Sequence, residues 1–343
     1  MNRRSFVRTL GVGACVAVAT RAWADRIRIL PDVRAGDPAS GGDQVGAELQ
    51  RFLDGVRVRE RRAHGGLTVF WLHAAQGPLP FAIHTLEEAR ARGEIVVTER
   101  DQATVPGLVI DNRGRVHVVL LAGEILLGGK QNRIVVEDVL VPPLSGPLTL
   151  PVYCVEQGRW AGDAKPFTTR GSFAAPGLRA RMLERSDQRE VWAEVDRYAR
   201  RAAAPSPTGS YQAIHDKAEV QVYQKDVEGV LGRSTAPGAQ GAAVFAADAL
   251  VELDLFQDPS LFAREWPKLL RAQTLETYGR SVDDKTDERR LRAHLEDLVR
   301  AAARTAGSVK RGIGAGWLVE LRASRFRGSA LVAEGQVVHA AIL

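Results

Sequence analysis

The chain has 343 residues, of which 45% are hydrophobic, and its 47 basic and 41 acidic residues give a net charge of +6. This apolar content excludes a disordered chain, and two cysteines exclude a disulfide-rich scaffold. The length allows one large domain or two small ones, each with a sizeable core.

Residues 1–24 have the features of a cleaved export signal. Residues 2–7, Asn-Arg-Arg-Ser-Phe-Val, resemble the twin-arginine pattern, and a weakly apolar run follows, too short for the ~20 residues that span a bilayer. Ala22 and Ala24 are the small residues that a signal peptidase requires. We therefore expect twin-arginine (Tat) export, cleavage after Ala24, a periplasmic or otherwise extracytoplasmic location and no transmembrane span in the mature protein. A faint lipoprotein box ending at Cys15 is the competing interpretation.

Cleavage changes the charge and the thiol content. The signal holds four arginines and no acid, so 43 basic residues face 41 acidic ones afterwards, a net charge of +2. So small an excess gives no reason to expect a nucleic acid partner. Cys154 is the only thiol left, which excludes an intrachain disulfide.

An N-terminal segment, residues 25–66, precedes what we predict to be a single domain at 67–343. Residues 32–45 are rich in Gly, Asp, Ala and Pro and predict a loop, and the basic run 57–62 predicts a solvated turn. Residues 67–74 predict a strand, and Thr85 with Glu88 predicts a capping box that starts a short helix.

The central stretch, residues 122–160, holds the densest specialised chemistry. A Val- and Leu-rich strand ends at Gly128-Gly129 and is followed by two cations and two amides, Lys130-Gln131-Asn132-Arg133. Two further strands lead to Glu156-Gln157-Gly158-Arg159-Trp160. Polar groups therefore gather at strand ends, where binding sites are usually built.

The pieces GEILLGGKQNR and PVYCVEQGRW resemble the bacterial domain family called "ARG and Rhodanese-Phosphatase-superfamily-associated protein". The resemblance extends from about Thr68 to the C-terminal region and includes residues 253–271. The family's name records an association with ADP-ribosylglycohydrolase-type proteins, which implies nucleotide or ADP-ribose chemistry only indirectly. The family's motif positions fall here on Glu124, Gly128, Lys130, Gln131, Asn132, Arg133, Cys154, Glu156, Arg159 and Trp160.

The later chain alternates between helices and strands. Apolar residues at helical spacing predict helices within 186–202, 219–230, 259–278 and 284–305, with a kink or a new helix at Pro267. Residues 317–343 predict strands with a hairpin turn at Glu334-Gly335. We predict an α+β fold with a largely antiparallel sheet at 67–156 and 317–343 and a helical middle section at 186–305.

Three residues are candidate catalytic groups. Glu124 and Glu156 lie at or near strands and are a candidate acid/base pair if they converge. Cys154 is a nucleophile only if a nearby cation or histidine lowers its pKa, and its apolar strand favours a buried structural thiol. The seven histidines are scattered in no metal-binding pattern, so no metal site is predicted, and the sequence indicates no particular cofactor.

Three functions remain open. The first is binding or processing of a small polar or anionic ligand, at a site of Lys130, Gln131, Asn132, Arg133, Glu156, Arg159 and Trp160. A nucleotide or ADP-ribose-related ligand is favoured only by the family's associations. The second is a non-catalytic envelope protein whose motif residues pair with one another. The third is an enzyme that depends on Cys154.

Overall fold

The structure is a computed structural model that describes residues 38–100, 107–159, 166–281, 283, 286–304 and 308–343, with backbone only for 38–41. The predicted signal and Trp160 lie outside the described residues. The described helices are α1 (Pro38–Asp54), α2 (Leu86–Ala91), α3 (Pro176–Leu183), α4 (Gln188–Arg201), α5 (Gln212–Asp216), α6 (Ala218–Leu231), α7 (Pro259–Thr274) and α8 (Glu288–Ala302).

Sixteen strands accompany these helices in the described part of the chain. They are β1 (Arg57–His64), β2 (Leu67–His73), β3 (Ile83–Thr85), β4 (Ile95–Glu99), β5 (Gly107–Asn112), β6 (His117–Leu120), β7 (Ile125–Leu126), β8 (Arg133–Val135), β9 (Val139–Val141), β10 (Gly146–Cys154), β11 (Gly241–Ala246), β12 (Ala249–Leu255), β13 (Val309–Arg311), β14 (Trp317–Arg322), β15 (Arg327–Ala333) and β16 (Gln336–Ile342).

An eight-stranded antiparallel sheet forms the largest layer, in the order β1-β2-β11-β12-β16-β15-β14-β13. Two hairpins from distant parts of the chain meet at its centre, where Leu253–Leu255 pairs with Ala340–Ile342. The predicted C-terminal strands therefore join the same sheet as the first strands, and the α+β prediction is confirmed.

Strand β2 shows why this sheet is covered on both faces. All its residues except His73 are buried, as a strand between two layers requires. Because side chains alternate, Val69 and Trp71 pack with α6 and α7, whereas Phe70 and Leu72 pack with α1 and α8. The two helical layers thus exclude water from both faces of the sheet.

Two smaller sheets carry the central stretch. One has the order β4-β5-β10-β8-β7 and the other the order β3-β6-β9, in which β3 and β6 are parallel. A core cluster between them includes Ile95, Leu108, Val118 and Val152. The loops between β7, β8 and β10 therefore project from rigid strands.

Several local predictions are confirmed. Thr85 accepts a hydrogen bond from the Glu88 backbone N–H, and the Glu88 side chain accepts one from the Thr85 N–H, so the capping box is present. Glu334 and Gly335 both have positive φ, 51° and 71°, in the turn between β15 and β16. This is the backbone that a two-residue hairpin turn requires.

Two local predictions are wrong. Residues 38–45, expected as loop, belong to α1, whose apolar residues pack on the large sheet, and the basic run 57–62 belongs to β1. At Pro267 no new helix starts, because α7 continues through this residue although proline removes one helical hydrogen bond. Tertiary packing outweighs the local preference in α7, because Trp266 and Leu269 next to the proline are buried in the main core.

The described residues from 38 to 343 form one compact unit, which includes α1 and β1 from the segment predicted to precede the domain. In the described part of the chain, no helix has both the length and the apolar character needed to cross a membrane.

Candidate functional site

The loop between β7 and β8 packs closely against its surroundings. Gly128 and Gly129 both have positive φ, 136° and 51°. A Cβ atom on Gly129 would lie 2.5 Å from both the Phe167 ring and Glu99 Oε1. Glycine is therefore required at position 129 for steric as well as conformational reasons.

Arg159 joins the two sequence motifs. Its Nη1 donates to the Gly129 carbonyl oxygen at 2.7 Å, and its Nη2 donates to Glu156 Oε2 at 2.6 Å and to Asn132 Oδ1 at 3.2 Å. The Arg159 side chain is 27% exposed. Its donors are thus directed at protein acceptors of both motifs.

Glu156 is the acceptor at the centre of this arrangement. The Asn132 backbone N–H donates to its Oε2 at 3.1 Å, and Thr208 Oγ1 donates to its Oε1 at 2.7 Å. Burial raises the pKa of Glu156, but the hydrogen bonds from Arg159 and Thr208 outweigh burial and hold the pKa below its ordinary value. Glu156 is therefore an ionised, fully engaged carboxylate.

The remaining motif residues complete the cluster. Arg133 is fully buried, donates from Nη1 to the Gln131 carbonyl oxygen at 3.0 Å and lies 3.6 Å from Glu99 Oε1. The Lys130 backbone N–H donates to the same Glu99 oxygen at 3.1 Å. We call Lys130, Gln131, Asn132, Arg133, Glu156 and Arg159 the motif cluster. The structure brings these six residues together, while Trp160 lies outside the described residues.

An open groove borders the motif cluster. Its walls are the Gln157 turn, one face of α4 and the loop 203–210, and its volume is about 610 Å³. Asn132 Nδ2 donates to Ser210 Oγ at 3.1 Å, and Glu156 accepts from Thr208 in the same loop. The motif cluster therefore fixes one wall of the groove rather than filling it.

The other two catalytic candidates lie apart from Glu156. Cys154 is fully buried, and burial raises the pKa of its thiol, with only partial opposition from Arg133. Glu124 does not pair with Glu156. Its Oε1 oxygen instead lies 2.5 Å from the Lys268 ammonium, outside the motif cluster.

Lys268 is the centre of a buried group that sequence reasoning missed. Its Nζ lies 2.5 Å from Glu124, 2.7 Å from Glu265 and 3.0 Å from Glu87. We call these four residues the three-carboxylate cluster. Glu265 and Lys268 are three residues apart on the apolar face of α7, and charges on such a face are a sequence signal for buried pairing.

A second buried charged group, the Arg179 cluster, consists of Asp138, Arg179, Glu252, Asp254 and His339. Arg179 donates to Glu252, to Asp254 Oδ1 at 2.7 Å and to the Ala122 carbonyl oxygen at 2.8 Å. His339 lies between the carboxylates of Asp138, at 2.7 Å, and Asp254, at 3.0 Å.

The pKa values in the Arg179 cluster follow from burial opposed by charge. Burial lowers the pKa of His339, but Asp138 and Asp254 outweigh burial and raise it to about 9. Burial and the neighbouring Asp254 raise the pKa of Glu252 to about 7. The alternating acids of β12, at 252 and 254 in an otherwise apolar strand, are the sequence signal that could have revealed this cluster.

These features define an α+β protein with a two-sided antiparallel sheet, buried charge clusters and a hydrogen-bonded motif cluster beside an open groove. The family model of the ARG and Rhodanese-Phosphatase-superfamily-associated Protein domain matches residues 55–343, and the chain belongs to this family. The match includes β1 and so starts earlier than the resemblance in the sequence indicated. No curated protein and no solved structure matches the chain.

Proposed function

We propose that this chain is an exported binding protein for a small polar ligand that enters the groove beside the motif cluster. The observation that carries this proposal is the coupling of the groove wall to the motif. Glu156 and Asn132 bind Thr208 and Ser210, two residues of the loop that forms the wall. The motif residues then act by positioning the groove.

The lining of the groove favours a ligand with a flat apolar part and polar edges. Trp192, Val195 and Ala199 lie on the α4 side, and the Gln157 amide and the hydroxyls of Ser206 and Ser210 lie opposite. Aromatic and aliphatic walls with a few polar groups are typical of small-molecule sites. Nucleosides and ADP-ribose-like molecules have this chemistry, in keeping with the association in the family name.

The test is a thermal-shift and tryptophan-fluorescence screen of the purified protein with adenosine, AMP, ADP-ribose and ribose 5-phosphate. A ligand at a hundredfold excess over its Kd stabilises by ~2.7 kcal/mol. We expect a shift in the wild type that Gln157→Ala and Ser210→Ala reduce. Trp192→Phe should remove the fluorescence change, and Trp317→Phe, at a tryptophan outside the groove lining, should keep it.

Absence of any shift would reject the ligand proposal. A second candidate function, a non-catalytic envelope protein, is favoured by the mutual pairing of Arg159, Glu156 and Asn132. That candidate predicts no ligand response together with a large loss of stability in Arg159→Ala. The Cys154-dependent enzyme is disfavoured by the burial of the thiol and its raised pKa.

The proposed location has its own test. The full chain and its Arg3→Lys/Arg4→Lys variant would be expressed in a bacterial host and fractionated. We expect the wild type in the periplasm with Asp25 as its first residue and the variant retained in the cytoplasm. A wild-type chain that stays in the cytoplasm with residues 1–24 intact would reject export.

A further inference from the structure

The three-carboxylate cluster holds more negative charge than its own cation balances. Glu87, Glu124 and Glu265 surround the single ammonium of Lys268. Glu124 and Glu265 are fully buried and the Lys268 side chain is 5% exposed. Uncompensated charge in such a place is strongly destabilising, so the cluster is stabilised either by protonation of a carboxyl group or by a further cation.

Some of the carboxylate oxygens also lack hydrogen-bond donors. In the described part of the chain, Lys268 pairs with one oxygen of Glu265 and one of Glu124, while Oε1 of Glu265 and Oε2 of Glu124 are buried without a hydrogen-bond partner. The two glutamates are therefore under-satisfied as they stand.

The carboxylates are spaced so that one ion can reach all of them. One oxygen from each of Glu87, Glu124 and Glu265 lies within 4.8 Å of the others. A metal ion that binds oxygen at about 2.0–2.6 Å can contact all three at this spacing. Carboxylate oxygens are hard ligands, which favour Mg²⁺, Mn²⁺ or Ca²⁺ over softer metals.

The cluster also opens to solvent on one side. The Glu87 side chain is 34% exposed, whereas the other two carboxylates are fully buried. Thr169 Oγ1 donates to Glu87 Oε1 at 3.2 Å from the loop that precedes α3. An ion can therefore enter at Glu87 without passing through the core.

We propose that Glu87, Glu124 and Glu265 form a binding site for one divalent cation, and that Lys268 holds the three carboxylates together when the ion is absent. The ion and the Lys268 ammonium compete for the same oxygens. For the ion to bind, the Lys268 ammonium has to leave the centre of the cluster, and the long, flexible lysine stem allows this movement. This proposal does not depend on the ligand groove.

The experiment is a titration of the metal-stripped protein with Mn²⁺, followed by isothermal calorimetry and by the loss of free Mn²⁺ signal in electron paramagnetic resonance. Tb³⁺ luminescence sensitised by Trp266, next to Glu265 in α7, reports the location of the ion. We expect one ion per chain in the wild type. Glu124→Gln and Glu265→Gln should weaken binding by about 10-fold or more.

The matched control is Glu88→Gln, because Glu88 is adjacent to Glu87 in α2 but pairs with Arg264. We expect its Mn²⁺ affinity to equal that of the wild type. Circular dichroism checks that each variant is folded. If Glu124→Gln or Glu265→Gln does not fold, the variant at the more exposed Glu87, Glu87→Gln, is measured in its place.

Three results would overturn the proposal. The first is the absence of saturable Mn²⁺, Mg²⁺ and Ca²⁺ binding by the wild type at millimolar concentrations. The second is binding that appears only in Lys268→Met, because the natural lysine would then fill the site permanently. Equal affinity in Glu124→Gln, Glu265→Gln and the wild type would place the ion elsewhere and would also reject it.

Discussion

The motif cluster and the Arg179 cluster contain similar residue types but differ in how they are assembled. The motif cluster draws on two short stretches, 128–133 and 156–159, and its Arg159 is 27% exposed. The Arg179 cluster joins residues as far apart as 138 and 339, and Arg179 is 1% exposed. Burial rather than residue type therefore decides how much free energy each ion pair carries.

The largest expected loss of stability follows from removing the buried guanidinium of Arg179. Arg179→Met leaves Glu252 without its cation in the core and leaves Asp254 paired only with His339, and breaking a buried pair in this way costs about 3–5 kcal/mol. Urea unfolding followed by circular dichroism measures the free energy of unfolding. Arg189→Met on the adjacent α4 removes an 87% exposed arginine and should cost less than about 0.5 kcal/mol. Equal losses in the two variants would contradict the role of burial.

The second-largest effect on stability comes from His339 and depends on pH. The folded-state pKa of His339 is about 9, above its ordinary value of 6.5. The imidazolium therefore stabilises the fold fully below pH 6.5, and this contribution, about 3 kcal/mol, is lost as the pH rises through 9. We expect the difference in unfolding free energy between the wild type and His339→Gln to shrink between pH 6.5 and 10. A difference that stays constant would show that His339 is neutral in the folded protein.

The smallest effect is expected in the motif cluster. Arg159→Ala removes the hydrogen bonds to Gly129, Asn132 and Glu156 but leaves a partly exposed site that water can enter, so we expect a loss of about 1–3 kcal/mol. Arg113→Ala is the control, because Arg113 is 63% exposed and pairs with Asp111 at 3.0 Å. A loss in Arg159→Ala larger than in Arg179→Met would reverse the comparison between the two clusters.

Local structure was predictable wherever a short sequence pattern determines the backbone. The capping box at Thr85 and the Glu334-Gly335 turn depend on neighbouring residues only, and both are confirmed. The α+β class followed from the order of strands and helices. Helix α1 was missed because its glycine-rich sequence favours a loop, while its packing on the sheet is a tertiary effect.

The candidate site was predictable only in part, because sequence patterns reveal clusters of neighbouring residues but not clusters of distant ones. The motif cluster comes from contiguous polar residues at strand ends, so its members could be named from the sequence. The three-carboxylate cluster requires Glu87, Glu124 and Lys268 to meet across the fold, and no local spacing indicates that. Glu124 and Glu156 could form an acid/base pair only if their strands brought them together, and the structure places Glu124 beside Lys268 instead.

The strand order of the large sheet has a consequence for the synthesis of the protein. Apolar strand β2, at residues 67–73, can pair with β11 only after residues 241–246 have been synthesised. Strand β12 can pair with β16 only after residues 336–342 have been synthesised. Such long sequence separations slow folding and leave apolar strand edges unpaired while the chain grows. We therefore expect the nascent chain to need protection from aggregation until late in translation. If the protein is exported in the folded state, this wait takes place in the cytoplasm, where chaperones that bind unfolded chains are available.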